Sequence, residues 1–116
     1  MLLVGEDPLR LERARAALAE RGIAAATCPL DAALDTAADA PVVAILVDLS
    51  RQAERAIGVT AELGLARGDL PVAIAGVRDA EMERRVRTEL PRAAFVSREP
   101  PGDPDVIEQL LRTAEP

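Results

Sequence analysis

The chain has 116 residues, of which 49% are hydrophobic and 29% are charged, and its formal net charge is −6. This length and hydrophobic content suffice for one globular domain with a buried core, so the composition excludes an intrinsically disordered chain. The acidic balance argues against nucleic acid and anionic membranes as partners, because both repel a negatively charged surface.

Two residue types that carry much of enzyme chemistry are missing. The sequence contains no His and no Lys, and all 14 basic residues are Arg. These absences exclude a Ser-His-Asp triad, a zinc site with His ligands and a Schiff-base lysine, and we expect no enzyme activity. The apolar surroundings of the single Cys28 predict a buried thiol. Without a signal peptide or an apolar segment long enough to cross a bilayer, the chain is expected to be cytoplasmic.

The chain begins with a short apolar run, Met1–Val4, which predicts a strand. Asp7 followed by Pro8 is typical of a helix start, with Asp7 as the N-cap and Pro8 in the first helical position. The apolar face of this helix consists of Leu11, Ala14 and Leu18. Gly22 is predicted to end the helix.

The central strand is predicted in the next part of the chain. Ile23–Cys28 predicts a weak, Ala-rich second strand, and helical spacing then recurs at Leu30, Ala33, Leu34 and Ala37. Pro41–Ser50 follows as an apolar run that ends in one carboxylate, Asp48. Val42–Val47 carries no polar side chain, which predicts a strand covered on both faces. Because ligands collect beyond the carboxyl ends of parallel strands, Asp48 is the first candidate functional residue.

The second half of the chain repeats the alternation of helices and strands. The first is a helix that carries Ala56, Ile57, Thr60 and Leu63 and ends at Gly64 or at Gly68–Asp69. It is followed by a strand over Pro71–Val77 and a helix from Asp79 through Leu90. A strand over Ala93–Ser97 and a last helix that opens at Asp103 and Pro104 complete the chain. Five strands alternating with helices predict a single α/β domain over residues 1–116, with a doubly wound, five-stranded parallel sheet.

Four segments, taken in order, match the pattern of a known family. The first ten residues join an apolar strand to an acidic cluster, and Glu20–Ile23 closes the first helix. Pro71–Asp79 reads Pro-Val-Ala-Ile-Ala-Gly-Val-Arg-Asp, and Ala94–Arg98 reads Ala-Phe-Val-Ser-Arg. Over almost the whole chain, these segments resemble the receiver domain of bacterial two-component response regulators. The resemblance implies a flavodoxin-like (βα)5 fold and a signalling role with a histidine kinase or another protein as partner.

The resemblance also implies a set of site residues at the carboxyl edge of the sheet. In the family, two acids after the first strand and an Asp after the third hold Mg²⁺, and that Asp accepts a phosphoryl group. Carried over to this chain, Asp48 is the predicted phosphoacceptor, and Glu6, Asp7 and Asp48 are the metal ligands. Two alternatives stay open: without a gap the acidic pair falls on Gly5 and Glu6, and counting from Pro41 puts Val47 at the acceptor position.

The positions that couple phosphorylation to a switch depart from the family pattern. Gly76 stands where the family has a hydroxyl residue, and glycine has no side chain to bind a phosphoryl oxygen. Arg98 stands in place of Lys, and Glu99 follows it where Pro is usual. Phe95 matches the switch aromatic of the family but lacks a hydroxyl group.

Three interpretations follow from these matches and departures. The first is an atypical, degenerate receiver that is independent of phosphorylation and acts through the face formed by Ala80–Leu90, Phe95 and Val106–Leu111, with Arg84 and Arg85 suited to pairing with a partner or a second copy. The second is a working receiver that binds Mg²⁺ and is phosphorylated on Asp48. The third is a small-anion-binding α/β domain that uses Gly5, Gly76 and Arg98.

Overall fold

The computed structural model describes residues 1–39, 41–91 and 93–96, which form a parallel sheet flanked by helices on both faces. The strands are β1 (Leu2–Val4), β2 (Ala26–Cys28), β3 (Ile45–Asp48), β4 (Val72–Ala75) and β5 (Ala93–Val96). The helices are α1 (Pro8–Glu20), α2 (Ala33–Asp39), α3 (Ala53–Ala66) and α4 (Ala80–Glu89), and a 3₁₀ turn covers Leu30–Ala32. None of the helices in these ranges is both long and apolar enough to span a membrane.

The five strands pair in the order β2-β1-β3-β4-β5, and every pairing is parallel. The predicted doubly wound, five-stranded parallel sheet is therefore confirmed, with β3 at its centre. The last predicted helix, which opens at Asp103, and the end of the predicted fifth strand at Ser97 lie outside the described residues.

Several strands are shorter than the sequence predicts, and β4 covers only Val72–Ala75 of the expected Pro71–Val77. β3 begins at Ile45, and Val43 is half exposed, so the expected burial on both faces holds only from Ala44 onward. Ile23 does not join β2, because its amide donates to the Leu18 carbonyl at 2.9 Å and helps to close α1. Gly22, at φ +77°, makes that closure possible, since a left-handed residue lets the chain fold back over the last helical turn.

The predicted helix starts at Asp7 and Asp79 are confirmed. The Asp7 carboxylate accepts a hydrogen bond from the Arg10 amide at 3.3 Å, and Pro8 is the first residue of α1. In the same way, Asp79 caps α4 by accepting from the Met82 amide at 2.9 Å. α3 continues past Gly64 and ends at Ala66, two residues before the predicted Gly68–Asp69 turn.

The core has two parts, one on each face of the sheet. The larger part lies against α2, α3 and α4 and includes Ile45 and Val47 of β3. The smaller part contains Leu46 together with the apolar face of α1, which is Leu11, Ala14 and Leu18 as predicted. Because side chains alternate along a strand, Asp48 follows Leu46 on the α1 side of the sheet. Cys28 is buried as expected, and burial raises the pKa of its thiol.

Candidate functional site

Asp48 is the last residue of β3 and lies at the carboxyl edge of the central strand. It pairs with Ala75 of β4, and only 1% of its side chain is exposed. Val47, the alternative acceptor position, is fully buried among apolar side chains. Asp48 is therefore the residue that brings a carboxylate to this end of β3.

Arg10, the third residue of α1, holds the Asp48 carboxylate with both arms of its guanidinium. Nε donates to Oδ2 at 2.9 Å, and Nη2 donates to Oδ1 at 3.2 Å. The Arg10 side chain is 23% exposed, so the ion pair is largely withdrawn from solvent. This bidentate geometry is the strong form of the Arg–carboxylate interaction, and it links α1 directly to the end of β3.

Ser50 supplies the other two hydrogen bonds to the same carboxylate. Its backbone amide donates to Oδ1 at 3.1 Å, and its hydroxyl donates to Oδ2 at 2.9 Å. Each Asp48 oxygen thus accepts two hydrogen bonds, one from Arg10 and one from Ser50. Since an ionised carboxylate offers about four lone-pair sites, every acceptor position of Asp48 is in use.

Two glycines allow the backbone to approach Asp48 closely. Gly76 has φ +78°, and a Cβ at this position would lie 2.4 Å from Asp48 Oδ1 and 2.6 Å from the Ser50 amide nitrogen. A Cβ on Gly5 would lie 3.2 Å from the Asp48 Cβ. A hydroxyl residue therefore cannot replace Gly76 while Asp48 keeps this orientation. The site lacks the predicted phosphoryl-binding hydroxyl, and it also has no room for one.

The predicted magnesium ligands are not brought together as a metal site. Within the described ranges, no group of three or more His, Cys, Asp or Glu side chains is placed to hold a metal ion. Asp7 is occupied as the N-cap of α1, and Arg51 Nε lies 3.5 Å from its second oxygen. Glu6 is half-buried beside a small cavity that Gly5 and Cys28 also line. With the Asp48 oxygens saturated as well, these residues do not fit Mg²⁺ in this arrangement.

The connection from β3 to α3 contains a strained residue. Gln52, at φ +52° and ψ +50°, is the only non-glycine residue with positive φ in the described part of the chain. A side chain in this region costs on the order of 1–3 kcal/mol and persists where the surroundings impose it. The strain lies two residues after Ser50, at the same edge of the sheet as Asp48.

The other predicted site residues are only partly described. Phe95 lies on β5, and its backbone is in register with Ala73 of β4. Its side chain and the whole of Arg98 lie outside what the structure describes, as does the predicted Val106–Leu111 face. The expected contribution of these residues stays a prediction.

The arginines predicted to form an interaction surface on α4 differ in their surroundings. Arg85 forms ion pairs with Glu54 of α3 and with Glu89 of α4, and these hydrogen bonds raise the pKa of Arg85. Arg87 pairs with Glu83 at 3.1 Å along the same helix. Arg84 is exposed and lines a shallow groove together with other α4 side chains. Arg85 is therefore part of the internal contact between α3 and α4, and Arg84 is the better candidate for an intermolecular contact.

Arg10 and Ser50 are the site residues that the sequence analysis missed. One signal for Arg10 was present in the sequence: it follows the N-cap Asp7 by three residues, and a cation in the first turn of a helix is unfavourable next to the helix dipole. Such a residue needs a carboxylate partner. Ser50 offers a weaker signal, since a hydroxyl residue two positions after an Asp commonly closes a local hydrogen-bonded turn.

Comparisons with known proteins establish the fold of this site but not a family. No family model matches the chain, and no curated protein matches it. Among solved structures, FixJ-N aligns with a TM-score of 0.72 at 20% identity, over 97% of this chain and 90% of that one. A sensor protein from Polaromonas sp. JS666 aligns with a TM-score of 0.74 at 22% identity, over 97% and 93% of the two chains.

A third similar structure is a much longer protein. NtrX from Brucella abortus, solved in complex with ATP, aligns with a TM-score of 0.74 at 23% identity over 97% of this chain. The alignment covers 27% of the NtrX chain, so this chain spans about a quarter of that protein. The three matches agree that the chain has the flavodoxin-like fold of response-regulator receiver domains.

Proposed function

We propose that this chain is a receiver-type signalling domain that acts through protein–protein contacts and does not depend on phosphorylation of Asp48. The observation that carries the proposal is the saturated Asp48 carboxylate, which accepts two hydrogen bonds from Arg10 and two from Ser50. A carboxylate can attack a phosphorus atom only with a free lone pair, and here each lone pair is directed at a donor.

The surroundings of Gly76 support the same proposal. A phosphoryl group on Asp48 would shift a conformational equilibrium only if one conformation offered it better contacts than the other. Gly76 has no hydroxyl to make such a contact, and a side chain there would collide with Asp48 Oδ1 and the Ser50 amide nitrogen. The carboxyl edge of this sheet is therefore better suited to hold one conformation than to switch between two.

The exposed charges of α4 support contact with a protein partner. Glu81, Arg84 and Thr88 are exposed on this helix, and it is Arg85, not Arg84, that forms the ion pair with Glu54 of α3. We propose that this surface contacts another protein, such as a histidine kinase, or a second copy of the chain in the cytoplasm. The alternative, a receiver phosphorylated on Asp48 with Mg²⁺, is supported by the place of Asp48 at the end of the central strand.

Intact-mass spectrometry after incubation with MgCl₂ and acetyl phosphate tests the proposal. We expect no phosphoryl adduct on the wild-type chain, and an unchanged sedimentation coefficient with and without the phosphodonor. An Asp48→Asn variant is the matched control, because it removes the candidate nucleophile and keeps the shape of the side chain. An adduct on the wild type that is absent from Asp48→Asn would refute phosphorylation independence and favour the alternative.

A further inference from the structure

Among the described residues, Arg10 supplies a positive charge to Asp48 without a metal ion. The Asp48 carboxylate carries one negative charge, and the Arg10 guanidinium supplies one positive charge at 2.9 and 3.2 Å. Ser50 adds two neutral donors. A carboxylate that is 1% exposed requires such a partner, because a buried and unpaired charge is strongly unfavourable.

The guanidinium and a divalent cation would compete for the same oxygens. Mg²⁺ binds carboxylate oxygens at about 2.0–2.1 Å and demands a nearly octahedral shell of oxygen ligands. Arg10 occupies the outward side of both Asp48 oxygens with a planar fork, and Ser50 occupies the remaining acceptor positions. A cation that entered would also meet the positive charge of Arg10, so the two occupants exclude each other.

The position of Arg10 in its helix indicates that Asp48 holds it there. Arg10 lies in the first turn of α1, which contains no acidic residue. The positive end of the helix dipole disfavours a cation at this place, and an ion pair with a carboxylate offsets that cost. Asp48 of β3, 38 residues away in the sequence, provides that carboxylate.

We infer that Arg10 is a built-in counter-ion that replaces a divalent cation at Asp48. The inference deepens the proposed function and rests on it, since a resident guanidinium explains how a receiver fold can keep a buried carboxylate without metal or phosphate. It follows that the wild-type chain binds no divalent cation at Asp48. Removal of the guanidinium frees two acceptor positions of the carboxylate and removes the one cation that the described residues bond to it.

Titration of Mn²⁺ into wild-type, Arg10→Ala and Arg13→Ala chains tests this inference, with free Mn²⁺ measured by electron paramagnetic resonance. We expect Mn²⁺ to bind Arg10→Ala at least about tenfold more tightly than the wild type, because one positive charge next to the binding oxygens is gone. Arg13 is exposed on the same helix, so Arg13→Ala should match the wild type. Addition of Asp48→Asn to Arg10→Ala should abolish the gain.

Equal Mn²⁺ affinity in wild type and Arg10→Ala, or a gain that survives Asp48→Asn, would overturn the inference. If Arg10→Ala does not fold, Arg10→Gln takes its place, since Gln removes the charge and keeps a donor for Asp48. The two proposals fail separately. A phosphoryl adduct on the wild type would refute the proposed function, whereas an unchanged Mn²⁺ affinity without an adduct would refute only the counter-ion role of Arg10.

Discussion

Arg10 and Arg85 each form a bidentate pair with a carboxylate on another element, in opposite surroundings. Arg10 joins α1 to β3 through Asp48, and the two side chains are 23% and 1% exposed. Arg85 joins α4 to α3 through Glu54, and there the exposed fractions are 41% and 77%. The same kind of ion pair is thus buried at the edge of the sheet in one case and exposed on the surface in the other.

The difference shows which pair constrains the molecule. Exposed ion pairs contribute little to stability, because water and salt screen them and both side chains lose freedom. In the buried Arg10–Asp48 pair, loss of one side chain leaves the other without its opposite charge and without its hydrogen bonds. We therefore infer that the Arg10–Asp48 pair fixes the position of Asp48 at the candidate site. The Arg85–Glu54 pair is a surface contact that contributes little to stability.

The largest effect is expected when Arg10 is removed. Arg10→Met should lower the free energy of unfolding by about 3–5 kcal/mol, because it leaves a buried carboxylate unpaired. Urea unfolding followed by circular dichroism measures the change. Arg15→Met is the matched control on the same helix, since the Arg15–Glu12 pair is exposed. An equal loss in both variants would remove the distinction between the buried and the surface pair.

A smaller loss is expected from Gly76→Ala. The left-handed backbone at φ +78° disfavours a side chain by about 1–3 kcal/mol. The added methyl group would also push against Asp48 Oδ1, so it should weaken the bond from Arg10. The control is Gly58→Ala in α3, where a Cβ meets nothing within 4 Å and the better helix propensity should stabilise the chain by about 1 kcal/mol. Stabilisation by both substitutions would contradict the close packing at Gly76.

The smallest effect is expected at the surface pair. The hydrogen bond from Arg85 lowers the pKa of Glu54, so any stabilisation from the pair is present above the ordinary pKa of a Glu and is lost as the pH falls through the lowered value. Glu54→Gln should leave the urea midpoint at pH 7 nearly unchanged, and any difference should vanish in high salt. Glu62→Gln, also exposed on α3, is the control. A salt-independent loss at Glu54 would mean that the surface pair constrains the fold after all.

Sequence reasoning predicted the fold well because its signals are local. The apolar runs, the Asp-Pro helix start at Asp7 and the apolar face of α1 each depend on residues a few positions apart. The helix start and the apolar face are found as predicted, and each described run contains a strand. Errors occurred at element ends. Val43 was expected to be covered because it is apolar, but the neighbouring strands begin to pair only after it.

The candidate site was predicted less completely because its main contact is not local. The apolar run that ends at Asp48 identified the carboxylate. Gly76 was identified because it stands where the receiver family has a hydroxyl residue. The partner Arg10 lies 38 residues away, and only the packing of α1 against the sheet brings it to Asp48. The prediction that Glu6, Asp7 and Asp48 are ligands assumed a metal ion at this place. In the structure, the Arg10 guanidinium binds the Asp48 carboxylate, and Asp7 caps α1.

A double-mutant cycle on Arg10 and Asp48 tests the central claim most directly. The free energy of unfolding would be measured by urea denaturation for the wild type, Arg10→Met, Asp48→Asn and the double variant. We predict strong coupling between the two residues. The double variant should lose about 1–3 kcal/mol less stability than the two single losses added together, as for residues in direct contact. Losses that add without coupling would mean that Arg10 does not hold Asp48, and the proposed reason for phosphorylation independence would be wrong.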